Sequence, residues 1–146
     1  MSVTIPRKQF AAALKEAGHA IRPNPHLPIL GCVRLHAAPV GTLQVTGTNR
    51  DLTIEVGLPV SGNLDVIVSH GILAQYISAV GSDPELSAVD GQLTVTAGRA
   101  ALSLSTMDPT KWPNVQHADA DPVDIDAAAL AGVLYAASTD DARPIL

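Results

Sequence analysis

The sequence is short of aromatic rings, of cysteine and of positive charge, and each shortage closes a set of possibilities. Phe, Trp and Tyr make up 3% of the 146 residues, so any core must be built from Val, Leu, Ile and Ala. The single cysteine, Cys32, excludes an intramolecular disulfide and a Cys-rich metal site. It reads as a small apolar core residue. A net charge of −5 argues against a chain that holds nucleic acid by overall positive charge, while leaving room for a local basic face. The N-terminal MSVTIPRK lacks the apolar segment of a signal peptide. The uncharged stretch from Val66 to Ser82 contains His70, Gln75 and several Ser and Gly, too polar for a membrane span. The expectation is a soluble, cytoplasmic chain without a membrane partner.

Catalytic signatures are also missing. There is no G-x-S-x-G, no Walker loop and no Gly-rich dinucleotide turn. Histidines 19, 26, 36, 70 and 117 show no H-x-x-x-H pairing, so no zinc site is expected. Asp119, Asp121, Asp124 and Asp126 lack the Gly and terminal Glu of a calcium loop and read as an acidic linker. No enzyme activity, metal or cofactor is expected.

What is present is a core-forming pattern, with 47% hydrophobic and 16% charged residues. At this length it fits one domain, or one and a piece. Val3-Thr4-Ile5 alternates as a short strand. Phe10, Leu14, Ala17 and Ile21 then share one helical face, and Pro23 and Pro25 end that helix. Strand patterns follow at Cys32 to Ala37, Leu43 to Thr48, Leu52 to Val56 and Asp65 to Val68. Ser69 is a candidate N-cap for a second helix, which carries Leu73, Tyr76, Ile77 and Val80 and stops at Gly81. Three more strands run from Glu85 to Val89, Gln92 to Ala97 and Ala101 to Thr106, with Asp90-Gly91 as a hairpin turn. That order predicts an α+β fold with mainly antiparallel sheets.

Near residue 120 the pattern restarts. Val3, Ile5, Phe10 and Leu14 recur 120 positions later as Val123, Ile125, Leu130 and Leu134. Pro28-Ile29-Leu30 recurs 116 positions later as Pro144-Ile145-Leu146. The reading is one domain over residues 1–118 and the beginning of a second, incomplete copy over 119–146.

The first helix holds the most informative charge. At about 100° per residue, Lys8, Lys15, His19 and Arg22 lie opposite the apolar face, with Glu16 as the one acid in the helix. A solvated charged face and a face toward a phosphate backbone both remain open at this point.

Several motifs carry a family resemblance. Leu27-Pro28-Ile29-Leu30-Gly31 resembles the LPIL segment after the first helix of the bacterial DNA polymerase III beta subunit, the sliding clamp. Thr46-Gly47-Thr48-Asn49 resembles that family's T-G/A-T-D strand end, and Asp90-Gly91-Gln92-Leu93-Thr94-Val95 with Ala97-Gly98-Arg99 resembles its D-G-x-L-x-I…S-G-R stretch. Leu102-Ser103-Leu104-Ser105-Thr106, followed by Trp112-Pro113, is similar to F-x-L-x-T and a later aromatic-Pro pair.

The resemblance implies the DNA-clamp fold, with two helices packed on antiparallel sheets and a truncated second copy. It implies a non-catalytic processivity factor, an accessory subunit of a DNA-directed DNA polymerase in replication. Homodimeric rings of that family encircle duplex DNA, touch it weakly, and tether the replicative polymerase and clamp loader in the cytoplasm at the nucleoid. By position it implies DNA contacts at Lys8, Lys15, His19, Arg22, Asn24 and Arg143, although Asn24 stands where clamps often carry Arg. It further implies a subunit interface at Arg99, Leu102 and Leu104, and a wall of the partner-peptide pocket at Leu146. The competing expectation is a clamp remnant, a stand-alone interaction module without ring closure.

Overall fold

A computed structural model describes residues 2–22, 25–38, 41–114, 121 and 123–137. The chain divides into two units, Met1–Val115 and Gln116–Leu146.

The first unit has two four-stranded antiparallel sheets and two helices. The elements are β1 (Ser2–Thr4), α1 (Arg7–Gly18), β2 (Cys32–Ala37), β3 (Thr42–Thr48), β4 (Thr53–Pro59), β5 (Leu64–Ser69), α2 (His70–Ala79), β6 (Glu85–Val89), β7 (Gln92–Ala97) and β8 (Ala100–Ser105). One sheet has the order β4-β3-β2-β5 and the other β1-β6-β7-β8. The α+β expectation of two helices on antiparallel sheets holds for this unit.

Local turn chemistry explains most of the hairpins. Asp90 and Gly91 both have positive φ, 50° and 75°, as a type I′ turn demands. Gly98, at φ 62°, opens the two-residue turn joining β7 to β8. Strand alternation then sorts the side chains: Val33, Leu35 and Ala37 of β2 are buried, whereas Arg34 and His36 between them are partly exposed. Val3, Phe10, Leu14, Leu35, Leu43, Leu73, Ile77, Leu86 and Leu93 belong to one continuous apolar core. Its make-up of aliphatic residues around a single Phe follows the composition. Cys32 is 5% exposed, and burial raises its thiol pKa, so it stays protonated and inert.

Four local expectations are corrected. α1 ends at Gly18, not at Ile21. The chain continues as tighter i→i+3 turns, with Ala20 N–H donating to Ala17 O and Ile21 N–H to Gly18 O. That keeps Ile21 packed against the core, so its spacing was right although the helix is not α-helical there. Ser69 precedes α2 but makes no side-chain cap bond, and Val80, in extended conformation, ends that helix before Gly81. Leu52 is 48% exposed because it belongs to the turn before β4. Its carbonyl accepts hydrogen bonds from Asn49 N–H and the Thr48 hydroxyl.

In the second unit, α3 (Ala127–Val133) begins 120 positions after the first residue of α1. Asp126 caps it, its Oδ1 accepting from the backbone N–H of Ala128 at 2.9 Å and Ala129 at 3.3 Å. Leu130, Val133, Leu134 and Tyr135 are all exposed, Tyr135 by 91%.

Candidate nucleic-acid interface

The two helices of the first unit form an antiparallel pair fastened at both ends. At the start of α1, Arg7 donates from its guanidinium to the carbonyls of Ile77 (3.2 Å) and Ser78 (3.0 Å) at the end of α2. At the other end, His70 Nε2 lies 2.8 Å from Leu14 O. A carbonyl only accepts, so Nε2 is the protonated nitrogen and donates. The ring also occupies the space beside Gly18, where an added Cβ would come within 2.8 Å of it.

The sheet side of α1 is set by close approach. Gly47 of β3 faces the α1 backbone so tightly that a Cβ there would lie 2.3 Å from Ala17 O. Phe10, Ala13, Leu14 and Ala17 are therefore buried. Lys8, Lys15 and His19 stand exposed on the opposite side, as the 100° wheel predicts. Arg22, beyond the helix end, is also exposed and pairs at 3.8 Å with Asp51 of the β3–β4 turn. Glu16 is exposed on the same helix. Helix α2 contains no Lys, Arg, Asp or Glu, and offers Ile72, Gln75 and Ser78 to solvent. The cationic character of the pair thus comes from α1.

Arg50 was not singled out by the sequence reading. It sits at φ 81° in the β3–β4 turn. Its backbone N–H is held by the Thr48 hydroxyl, while Asn49 Oδ1 accepts from the N–H of Asp51 and Leu52. Arg50 and Arg22 line one cavity of about 350 Å³ together with His26, Leu27, Asn49 and Asp51. The available signal was the turn chemistry of Asn49, which places a cation next to the end of α1. Periodicity within α1 could not find it.

The second candidate surface is the strand β8, which among the described residues pairs on one side only, with β7. Arg99 is exposed in the turn before it. Leu104 is 7% exposed and belongs to the core, and Leu102 is half-buried against the core. Ala100, Ala101, Ser103 and Ser105 are the exposed side chains of this strand. Asn24, Arg143 and Leu146 lie outside the described residues.

Away from these surfaces, the outer face of the β4-β3-β2-β5 sheet is tied together by polar pairs. Arg34 donates to Asp65 through two bonds of 3.0 Å, and the hydrogen bond to that carboxylate raises the guanidinium pKa. Among the described residues no group of three or more His, Cys, Asp or Glu could hold a metal. No helix among them is long and apolar enough to cross a membrane.

The family model described as "DNA polymerase III beta subunit, N-terminal domain" matches residues 1–116. The chain belongs to that family. Among relatives of the polymerase III beta family, the beta sliding clamp of Staphylococcus aureus is 27% identical, the match covering 100% of this chain and 43% of the relative. The fold is shared with the beta subunit from DNA polymerase of Streptococcus pyogenes, at TM-score 0.89 and 22% identity, over 100% of this chain and 42% of that one. It is also shared with a Helicobacter pylori beta clamp bound to a DNA ligase peptide, at TM-score 0.75 and 14% identity, over 82% and 34% of the two chains. The chain therefore spans less than half the length of the beta clamps it matches.

Proposed function

We propose that the chain acts in DNA replication as part of a sliding clamp, the processivity factor that encircles duplex DNA and tethers the replicative polymerase. Residues 1–118 supply the first clamp domain and 119–146 the beginning of the middle domain. The observation that carries this reading is the family match over residues 1–116. The exposed line of Lys8, Lys15 and His19 on α1 supports α1 as the side that faces DNA. Arg22, Asn24 and Arg143 are proposed to extend that side.

A net charge of −5 suits topological holding, because a ring needs only weak phosphate contacts to slide. The edge of β8, with Arg99, Leu102 and Leu104, is proposed to meet another subunit of a homodimer. Leu146 is proposed to form part of the pocket for peptides from polymerase and clamp loader. The chain has an accessory role and performs no chemistry of its own. Its place is the cytoplasm, at the nucleoid.

The test is a titration of a short linear duplex with the chain across a range of salt. Lys8, Lys15 and Arg22, the Lys and Arg side chains of that side, give a log–log slope no steeper than about −3. Replacing Lys8 and Lys15 with Ala should lower its magnitude by about 2, at roughly 0.9 per phosphate contact. Tight binding that ignores this double substitution would remove α1 from the DNA side.

A further inference from the structure

We infer that the β3–β4 turn is a second phosphate-contacting element, in which Arg50 and Arg22 grip one backbone phosphate of the duplex and Asp51 tunes that grip. The inference rests on the reading of α1 as the DNA side. Arg22 follows His19 by three residues, so the cation line of α1 runs directly into the notch that Arg22, His26, Arg50 and Asp51 line. Two arginines lining one opening suit a phosphate better than two lysines would, because each planar guanidinium fork can donate a pair of parallel bonds.

The opposing acid is placed to exchange. Asp51 meets Arg22 at 3.8 Å, with the side chains 84% and 71% exposed respectively. A pair so open to water is weakly held, so a phosphate can displace the carboxylate. Asp51 thus occupies Arg22 in the absence of DNA, and releasing Arg22 from it offsets part of the phosphate contact, which keeps that contact weak enough for sliding.

The backbone adds an independent pointer. Arg50 has φ 81°, a conformation that Gly or Asn adopts at lower cost. The Thr48 and Asn49 side chains hold the turn in that shape. A strained position that presents a cation beside another cation is where a binding role is expected.

This geometry also supplies a clean variant. Arg50→Gly removes the charge while relieving the backbone, so a loss of binding in it is not a loss of folding. Arg50→Asn, also at home at positive φ, serves as the second variant, and both are checked by thermal melting. In the salt titration of the chain on a short duplex, each should weaken binding, and adding Arg22→Ala should lower the slope by about 0.9, the one phosphate contact that the two arginines share. Asp51→Asn should tighten binding, and that gain should vanish when Arg22 is also replaced by Ala.

Wild-type affinity and slope in both Arg50 variants, with binding lost in the Lys8/Lys15 double variant, would overturn the role of the turn and leave α1 as the DNA side. Wild-type binding in the Lys8/Lys15 double variant as well would overturn the α1 reading and this inference with it. A gain from Asp51→Asn that persists without Arg22 would overturn the exchange.

Discussion

Replacing Gly47 with Ala should damage the first unit more than its single added methyl implies. The new Cβ would lie 2.3 Å from Ala17 O and 3.0 Å from Ala17 C, about 1 Å inside ordinary contact distance. The atoms struck are helix backbone, so no rotamer change relieves the overlap. Either β3 or α1 must move. Moving α1 drags Phe10, Ala13, Leu14 and Ala17, all at most 1% exposed, out of a close-packed core. Overpacking costs about 1–3 kcal/mol when side chains can adjust, and a backbone clash belongs at the top of that range. For a domain of this size, a loss of about 3 kcal/mol lowers the melting temperature by on the order of 10 °C. Gly71 gives the matched control, since it lies in α2 with nothing within 4 Å of an added Cβ. Gly71→Ala should be neutral or stabilise by up to about 1 kcal/mol through helix propensity. Thermal and urea melts followed by circular dichroism read both variants. A Gly47→Ala melt within about 2 °C of wild type would show that α1 does not press on β3 as described.

Two further outcomes are expected. The Asp108 carboxylate accepts from the Thr110 hydroxyl at 2.8 Å and from Thr110 N–H at 2.9 Å, which lowers its pKa, the hydroxyl bond contributing most. A carboxyl whose folded pKa is below its unfolded value adds stability above the ordinary aspartate range and loses it as pH falls through the folded value. Asp108→Asn should therefore flatten the acid limb of a melting-temperature profile, and superimposable acid limbs would contradict the assignment. Truncation after residue 118 should leave a cooperative melt, because the core residues of the first unit all precede that point. It should also reduce aggregation by removing exposed Leu130, Val133, Leu134 and Tyr135, whereas loss of the cooperative transition would put the boundary in the wrong place.

The parts of the fold legible in the sequence are those whose cause is local. Asp90-Gly91 predicts a hairpin because few other pairs accept positive φ at both positions. The alternation in β2 and the four-residue spacing in α1 announce buried faces for the same reason. The division into two sheets is not local, since β1 pairs with β6 across more than eighty residues and no period in the chain records it. The candidate site divides the same way. The helical wheel places Lys8, Lys15 and His19 on one exposed face, but it cannot tell that adjacent Arg7 caps the end of α2. Nor could it bring Arg50 to Arg22, because that neighbourhood depends on Gly47 letting β3 approach Ala17. Alternation puts Leu102 and Leu104 on one face of β8, but their different burial depends on the elements packed against the strand, which no local pattern records.

The beginning of α1 carries a consequence for how the chain acquires its shape. Pro6 precedes the helix and provides no capping side chain. The N–H of Arg7 instead donates to Asp83 Oδ1 at 2.8 Å, from a residue 76 positions downstream. A twelve-residue helix is marginal in water by itself, and β1 likewise has its partner in β6. As the nascent polypeptide leaves the ribosome, β1 and α1 emerge before the residues that cap and pair them. The β2–β3–β4 meander, whose neighbours are close in sequence, is free to assemble first. Residues 2–18 are then among the last of the unit to settle, docking only once Asp83 and β6 have been made.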